Sequence, residues 1–215
     1  MTEKSNPAAS ERVLEFWFAD GLSGPEALAR RSDFWFGEDD RAAVDREIER
    51  MFRRDVELAV AGGFSDWSAT PRGRLALIVL CDQFPRNVFR ATPRAFAGDA
   101  RGCQLSEEGI RLRMDLALHP VERLFFYMPL EHTEDSAVQD HAAEVLAPLP
   151  EAVPAAMRFF FDECLAAAGR HREIIRRFGR FPHRNAILGR ASTPAELEHL
   201  ANGSEDFGQK PDAAP

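Results

Sequence analysis

Side chains able to do chemistry concentrate in four short segments of this chain, each placed where helical spacing expects burial. In the first, Asp82-Gln83-Phe84-Pro85-Arg86-Asn87, the apolar stripe of Leu75 and Ile78 continues to Asp82. Its carboxylate is expected to face the interior, where it needs a partner. Pro85 is expected to kink or end that helix, freeing backbone carbonyls and turning Arg86 and Asn87 toward neighbouring helices. In the second, His132 shares a helix face with Asp135 and Gln139. A carboxylate one turn from an imidazole can hold its tautomer and raise its basicity, as in a general base or, less readily, a metal ligand with its outer partner. The third is His171, on the apolar seam of a long helix. The fourth is Arg177-Phe178-Gly179-Arg180-Phe181-Pro182-His183-Arg184-Asn185, the dense part of a basic run from His171 to Arg190 in an otherwise acidic chain. Arginine keeps its charge at biological pH and offers a rigid fork of donors, so anions from the protein or from a ligand must balance the run.

Two readings of these residues compete. In the structural one, Asp82, Glu131 and Asp135 clasp Arg177, Arg180 and Arg184, the carboxylates near residue 131 complement a helix dipole, and His171 is a hydrogen-bonded core residue. In the functional one, Asp82, Arg86, Asn87, His171, Arg177, Arg180, His183 and Arg184 line an interior pocket for a small carboxylate or phosphate. His132 is then the general base, oriented by Asp135. Nothing in the sequence names a cofactor, and no metal-ligand set is assigned. Dinucleotide-binding, phosphate-loop, zinc-protease and nucleophile-elbow motifs are absent from the sequence. Glu196 and His199 form one ExxH pair, but Glu196 belongs to a capping box, which disfavours a di-iron bundle. Cys164 and His171 lie two helical turns apart, too far for direct proton transfer.

The elements that must position these residues read as helices throughout. A short aromatic helix is expected over about Ser10 to Phe18 and, after a Gly-Pro loop, a longer one over Asp39 to Ala61 with the stripe Val44, Ile48, Met51 and Leu58. Thr70 and Pro71 open a third helix whose RLALIVLC run is apolar on every side, as in a central buried helix. Further helices are expected over Asp99 to Arg113, Val121 to Tyr127 and Glu131 to Leu146, divided at His119-Pro120 and Met128-Pro129. Met157, Phe161, Cys164, Ala168, His171, Ile175 and Phe178 alternate spacings of four and three on one long helix closed by Gly179. Thr193, Pro194 and Glu196 open the last helix. Residues 1–9 and 202–215 are expected to be tails flanking one all-α domain over 10–201, built of antiparallel helix hairpins.

Composition bounds the partners. The chain has 215 residues, 45% of them apolar, and a formal net charge of -8. An acidic field repels nucleic acid and anionic membrane surfaces, so neither is expected as a partner. No apolar run approaches a membrane span, and the first twelve residues lack the apolar core of a secretion signal, so a cytoplasmic protein is expected. Cys81, Cys103 and Cys164 are odd in number and widely spaced, which fits free thiols in a reducing compartment. Lys4 and Lys210 are the only lysines, which argues against a catalytic lysine.

The sequence also resembles a widespread family of bacterial and fungal proteins, domain-of-unknown-function family 924. The likeness begins at Val13-Leu14-Glu15-Phe16-Trp17-Phe18 and Trp35-Phe36-Gly37, and includes Thr70-Pro71-Arg72-Gly73 and the Asp82 to Asn87 corner. It continues through Asp99, Met128-Pro129, His132, Asp135, Gln139, His171, Arg177 to Asn185, Leu188-Gly189-Arg190 and Ser192-Thr193, about residues 11 to 200 in all. The resemblance implies a single domain of the tetratricopeptide-like superhelical type and no established reaction. Its recurring positions coincide with the polar groups above, which favours one shared site. Thr133 stands where serine is usual and His199 where an apolar residue is common, which counts against a role for His199. Superhelical hairpins also present concave surfaces to proteins, so an interaction module is the opposing class. That class expects polar and aromatic side chains spread along successive helices, whereas a ligand site expects them in one enclosed cavity.

Overall fold

Gly73 to Pro85 are buried without a break, the longest such run among the described residues. The computed structural model describes residues 7–203 and 207–208; the tail residues 1–6, 204–206 and 209–215 lie outside the described residues. The helices are α1 (Pro7–Phe18), α2 (Pro25–Phe36), α3 (Arg41–Val60), α4 (Pro71–Ile78), α5 (Phe84–Val88), α6 (Asp99–Arg111), α7 (Pro120–Glu131), α8 (Ser136–Leu146), α9 (Arg158–Phe178) and α10 (Pro194–Ala201). No strand occurs among the described residues, and the all-α class holds.

The central rod consists of α4, a π-helical turn over Val79–Gln83, and α5. Thr70 caps it, its hydroxyl accepting from the Gly73 N–H at 3.1 Å, with Pro71 in the first turn. Pro85 has no N–H to give the Cys81 carbonyl one turn back, and the rod widens here instead of ending: Phe84 N–H reaches back to the Val79 carbonyl. Gly98 lies against the Cys81 carbonyl, where a Cβ would sit 2.1 Å from the oxygen. Around the rod, α1, α6 and α7 pack on α4, and α3 packs on α5; α8 bridges α7 to α9. The core is aromatic: Trp17 meets Phe84 and Phe125 edge-on, and Phe52 packs on Phe84.

Five expectations require correction. Residues 25–36 form α2 where a loop was expected. That helix fully buries only Ala27 and Leu28, too little to show as a stripe, and it earns its place through side chains. Arg31 and Trp35 both donate to the Trp17 carbonyl at 2.8 Å, serving the open C-terminus of α1. Pro129 lies inside α7, because Leu124 to Glu131 are buried by neighbouring helices and that packing outweighs the one missing hydrogen bond. Glu131 therefore ends α7 and does not open α8, which starts at Ser136. Leu58 is 40% exposed; Ile48, Phe52, Val56 and Ala59 form the buried stripe of α3. The seam of α9 is as expected from Phe161 onward, with Phe161, Ala168, His171 and Ile175 buried and Gly179 closing the helix at φ 69°, whereas Met157 is buried in the 3-10 turn Ala155–Met157 before the helix begins.

Two glycine substitutions should have opposite signs. Gly98→Ala drives a methyl into the Cys81 carbonyl and should cost roughly 1–3 kcal/mol. Gly169→Ala, in mid-α9 with nothing near its Cβ position, should stabilise by about 0.5–1 kcal/mol. Urea unfolding midpoints measure both.

Candidate functional site

The widened turn aims Asp82 at the C-terminus of α7. Its carboxylate is fully buried, and Oδ1 lies 2.7 Å from Nδ1 of His132, the residue that caps α7. Gln83 Nε2 donates to Oδ2 at 2.5 Å, and Arg86 stands 3.2 Å from Oδ1 while donating to the Asp82 backbone carbonyl at 2.6 Å. Burial alone would raise the Asp82 pKa, but the Arg86 charge and then His132 hold the carboxyl below its usual range. An ionised Asp82 accepts from the Nδ1–H of His132, which leaves Nε2 as the basic nitrogen. Asp82 therefore does for His132 what Asp135 was expected to do. Asp135 is exposed and caps α8, its Oδ1 accepting from Ala137 and Val138 N–H groups at 2.8 and 3.2 Å. The two residues part company because α7 ends between them.

His171, from α9, lies beside His132 with ring centroids 5.8 Å apart and planes at 76°. Its Nδ1 faces Oε2 of Glu131 at 3.8 Å, and neither atom has a hydrogen-bond partner. Both side chains are more than nine-tenths buried. Burial lowers the His171 pKa, and Glu131 opposes that shift. Phe207 packs on the same ring at 4.0 Å and on His183 at 5.1 Å. His132, His171, His183 and Glu131 line one cavity of about 600 Å³, within the roughly 300–1,000 Å³ of small-molecule sites. Trp35, Phe36 and Phe96 form its aromatic wall, and Phe36 stays 46% exposed.

The arginines of the cavity lean on carboxylates behind it. Arg86 and Arg184 share Asp99, at 2.9 and 3.0 Å. Arg184 sits between the rings of Phe96 and Phe181, 4.5 Å from each, and burial pushes its pKa down to about 10. Asn87 and Arg90 both bind Asp45. Arg177 and Arg180 are elsewhere: Arg177 is exposed over Phe178, and Arg180 makes a two-pronged pair with Glu196, the buried capping-box residue of α10. Of the residues expected around a ligand, the structure brings together Asp82, Arg86, Asn87, His132, His171, His183 and Arg184, and sets Asp135, Arg177 and Arg180 outside. Asp99 and Glu131 had no place in the expected ligand set. Asp99 follows Gly98 as the first residue of α6, where a carboxylate already suits the helix dipole, and only its recurrence in the family resemblance marks it in the sequence. Cys164 lines the cavity as a thiol, since burial pushes its pKa up.

Fold and site define a protein that is helical throughout its described residues, with a cavity lined by histidines and arginines. The chain belongs to the family described as "Bacterial protein of unknown function (DUF924)", whose model matches residues 13–204. It is similar to a solved protein of unknown function from Agrobacterium tumefaciens: 35% identity, TM-score 0.74, covering 93% of this chain and all of that one. No curated protein matches it.

The histidines set a pH dependence. Burial, then Arg184 and His171, lower the His183 pKa to about 3 from 6.5. Below pH 6.5 the unfolded chain takes up a proton that the folded protein refuses. The stability present above that pH is therefore lost as pH falls toward 3, by about 1.4 kcal/mol per unit for one such group. His171 acts in the same direction. Unfolding free energy should drop steadily between pH 6.5 and 5, and the slope should flatten in His183→Gln.

Proposed function

We propose that the cavity binds a small anionic metabolite, a carboxylate or phosphate, and that His132 acts on it as a general base. The observation that carries this reading is the Asp82–His132 pair, a fully buried carboxylate holding one imidazole nitrogen while the other remains for the cavity that His132 lines. Among the side chains that line the cavity itself, arginines outnumber carboxylates, and their donors support an anion. Arg41, Arg86, Arg90, Arg170 and Arg184 line the cavity against Glu38, Glu131 and Glu163. Asp45, Asp82 and Asp99 behind the wall more than cancel that excess of two, so an anion is held by the directed guanidinium donors near Arg184, whose counter-ion Asp99 is shared with Arg86, and by a proton on the histidines, and a ligand of one negative charge is expected.

The alternative is a tetratricopeptide-like interaction module in which the Arg, Asp and His residues are structural. Pairs such as Arg180 with Glu196 and Arg190 with Glu134 are of that kind. Convergence of three histidines on one cavity favours the ligand site, because a concave protein-binding face distributes such groups along successive helices. No helix among the described residues is long and apolar enough to cross a membrane, and the free thiols of Cys81, Cys103 and Cys164 support the cytoplasm as its location.

Thermal shift and native mass spectrometry against inorganic phosphate and a panel of phosphorylated and carboxylated metabolites test the proposal. A true ligand at about 100 times its Kd should stabilise the protein by about 2.7 kcal/mol. The shift should disappear in Arg184→Lys and persist in His132→Asn, which should instead lose turnover. Silence across the panel, with both variants melting far below wild type, would mean that the cluster only holds helices together.

A further inference from the structure

Two histidines of the cavity are built alike. Asp82 holds Nδ1 of His132 at 2.7 Å, and Glu131 faces Nδ1 of His171 at 3.8 Å. Glu131 is the chain neighbour of His132, so the end of α7 supplies one ring of the first pair and the carboxylate of the second. With each Nδ1 turned to a carboxylate, each ring has Nε2 left for the cavity that both line.

Charge balance says how many protons the pair can hold. The groups facing the two rings are Asp82 and Arg86 from the central rod, Glu131 from α7, and His183 and Arg184 from the segment after α9. Asp99 completes the cluster through both arginines. Two guanidiniums balance Asp82 and Asp99, and Glu131, also within the field of Arg86, is the carboxylate in excess, facing His171. One added proton neutralises the cluster. A second would set two imidazolium ions about one ring apart beside Arg86 and Arg184, which buried charges of like sign oppose.

Resting on the cavity reading, we propose that His132 and His171 are one coupled acid–base pair. It shares a single proton and serves a redox-neutral proton relocation on a small carboxylated or phosphorylated carbonyl compound. In the balanced step, neutral His132 Nε2 takes a proton from the carbon beside the carbonyl. The C–H electron pair becomes the C=C bond, and the carbonyl π pair takes the proton of His171 Nε2–H to give the enol hydroxyl. His132 ends protonated and His171 neutral, and the reverse step restores both.

Two measurements on the full chain test this. Imidazole nitrogen resonances of labelled protein, followed from pH 9 to 5 with no ligand, should show the two rings titrating together. In His171→Gln the His132 midpoint should rise by about one pH unit or more. Glu131→Gln should lower the His171 midpoint. Independent single-proton curves, or a His132 midpoint unmoved by His171→Gln, overturn the pair. Because no ligand enters, that failure is distinct from failure of the thermal-shift screen. In deuterated water, wild type should exchange the carbon-bound protons of pyruvate or of dihydroxyacetone phosphate at least tenfold faster than His171→Gln. Exchange from neither compound overturns the carbonyl substrate class.

Discussion

The buried carboxylate of Asp82 is the constraint on which the rest of the structure turns. An ionised group with no solvent contact persists only when surrounding donors replace the water it has lost, and Arg86, His132 and Gln83 do so from three directions. Those donors come from the central rod and from α7, so satisfying the carboxylate also fixes the crossing of these two elements. Asp99 extends the network to α6 and, through Arg184, to the segment after α9. Removing one member would strand a charge on another, which binds four parts of the chain into one cooperative unit.

The π-turn is how the backbone meets that demand. Pro85 removes a donor in the middle of a buried helix, and the chain responds by widening rather than breaking. Gly98 lets α6 begin directly against the Cys81 carbonyl, where any side chain would collide. Asp99, next in the chain, is thereby delivered to Arg86. A proline, a glycine and an aspartate, each ordinary alone, act together as the geometry of the site.

Around this polar network lies an aromatic shell that excludes water from one side and opens on the other. Trp17, Phe84 and Phe125 close the core, while Trp35, Phe36 and Phe96 border the cavity. Low local dielectric makes the Asp82–His132 pair strong and leaves the 3.8 Å gap between Glu131 and His171 costly. Catalytic or binding sites are where such imbalance is tolerated.

Local signals in the sequence determined the helical class, the Thr70 and Thr193 caps, the Gly179 stop and the α9 seam, because spacing and capping act within one or two turns. They also placed Asp82 in the interior, since it continues the stripe of Leu75 and Ile78. The partner of His132 was beyond their reach. Asp135 is three residues away in the chain and yet caps another helix, whereas Asp82 is fifty residues away and touches the ring. The choice depended on α7 running through Pro129 to Glu131, a decision made by packing on all sides of that helix and not by proline's local preference. Likewise Arg180 and Arg184, alike in type and four residues apart, were separated by a turn that sends one to Glu196 and the other to Asp99. Which cation meets which anion is settled by where whole helices come to rest, because Coulomb attraction acts on distance in space and the chain encodes only distance along itself.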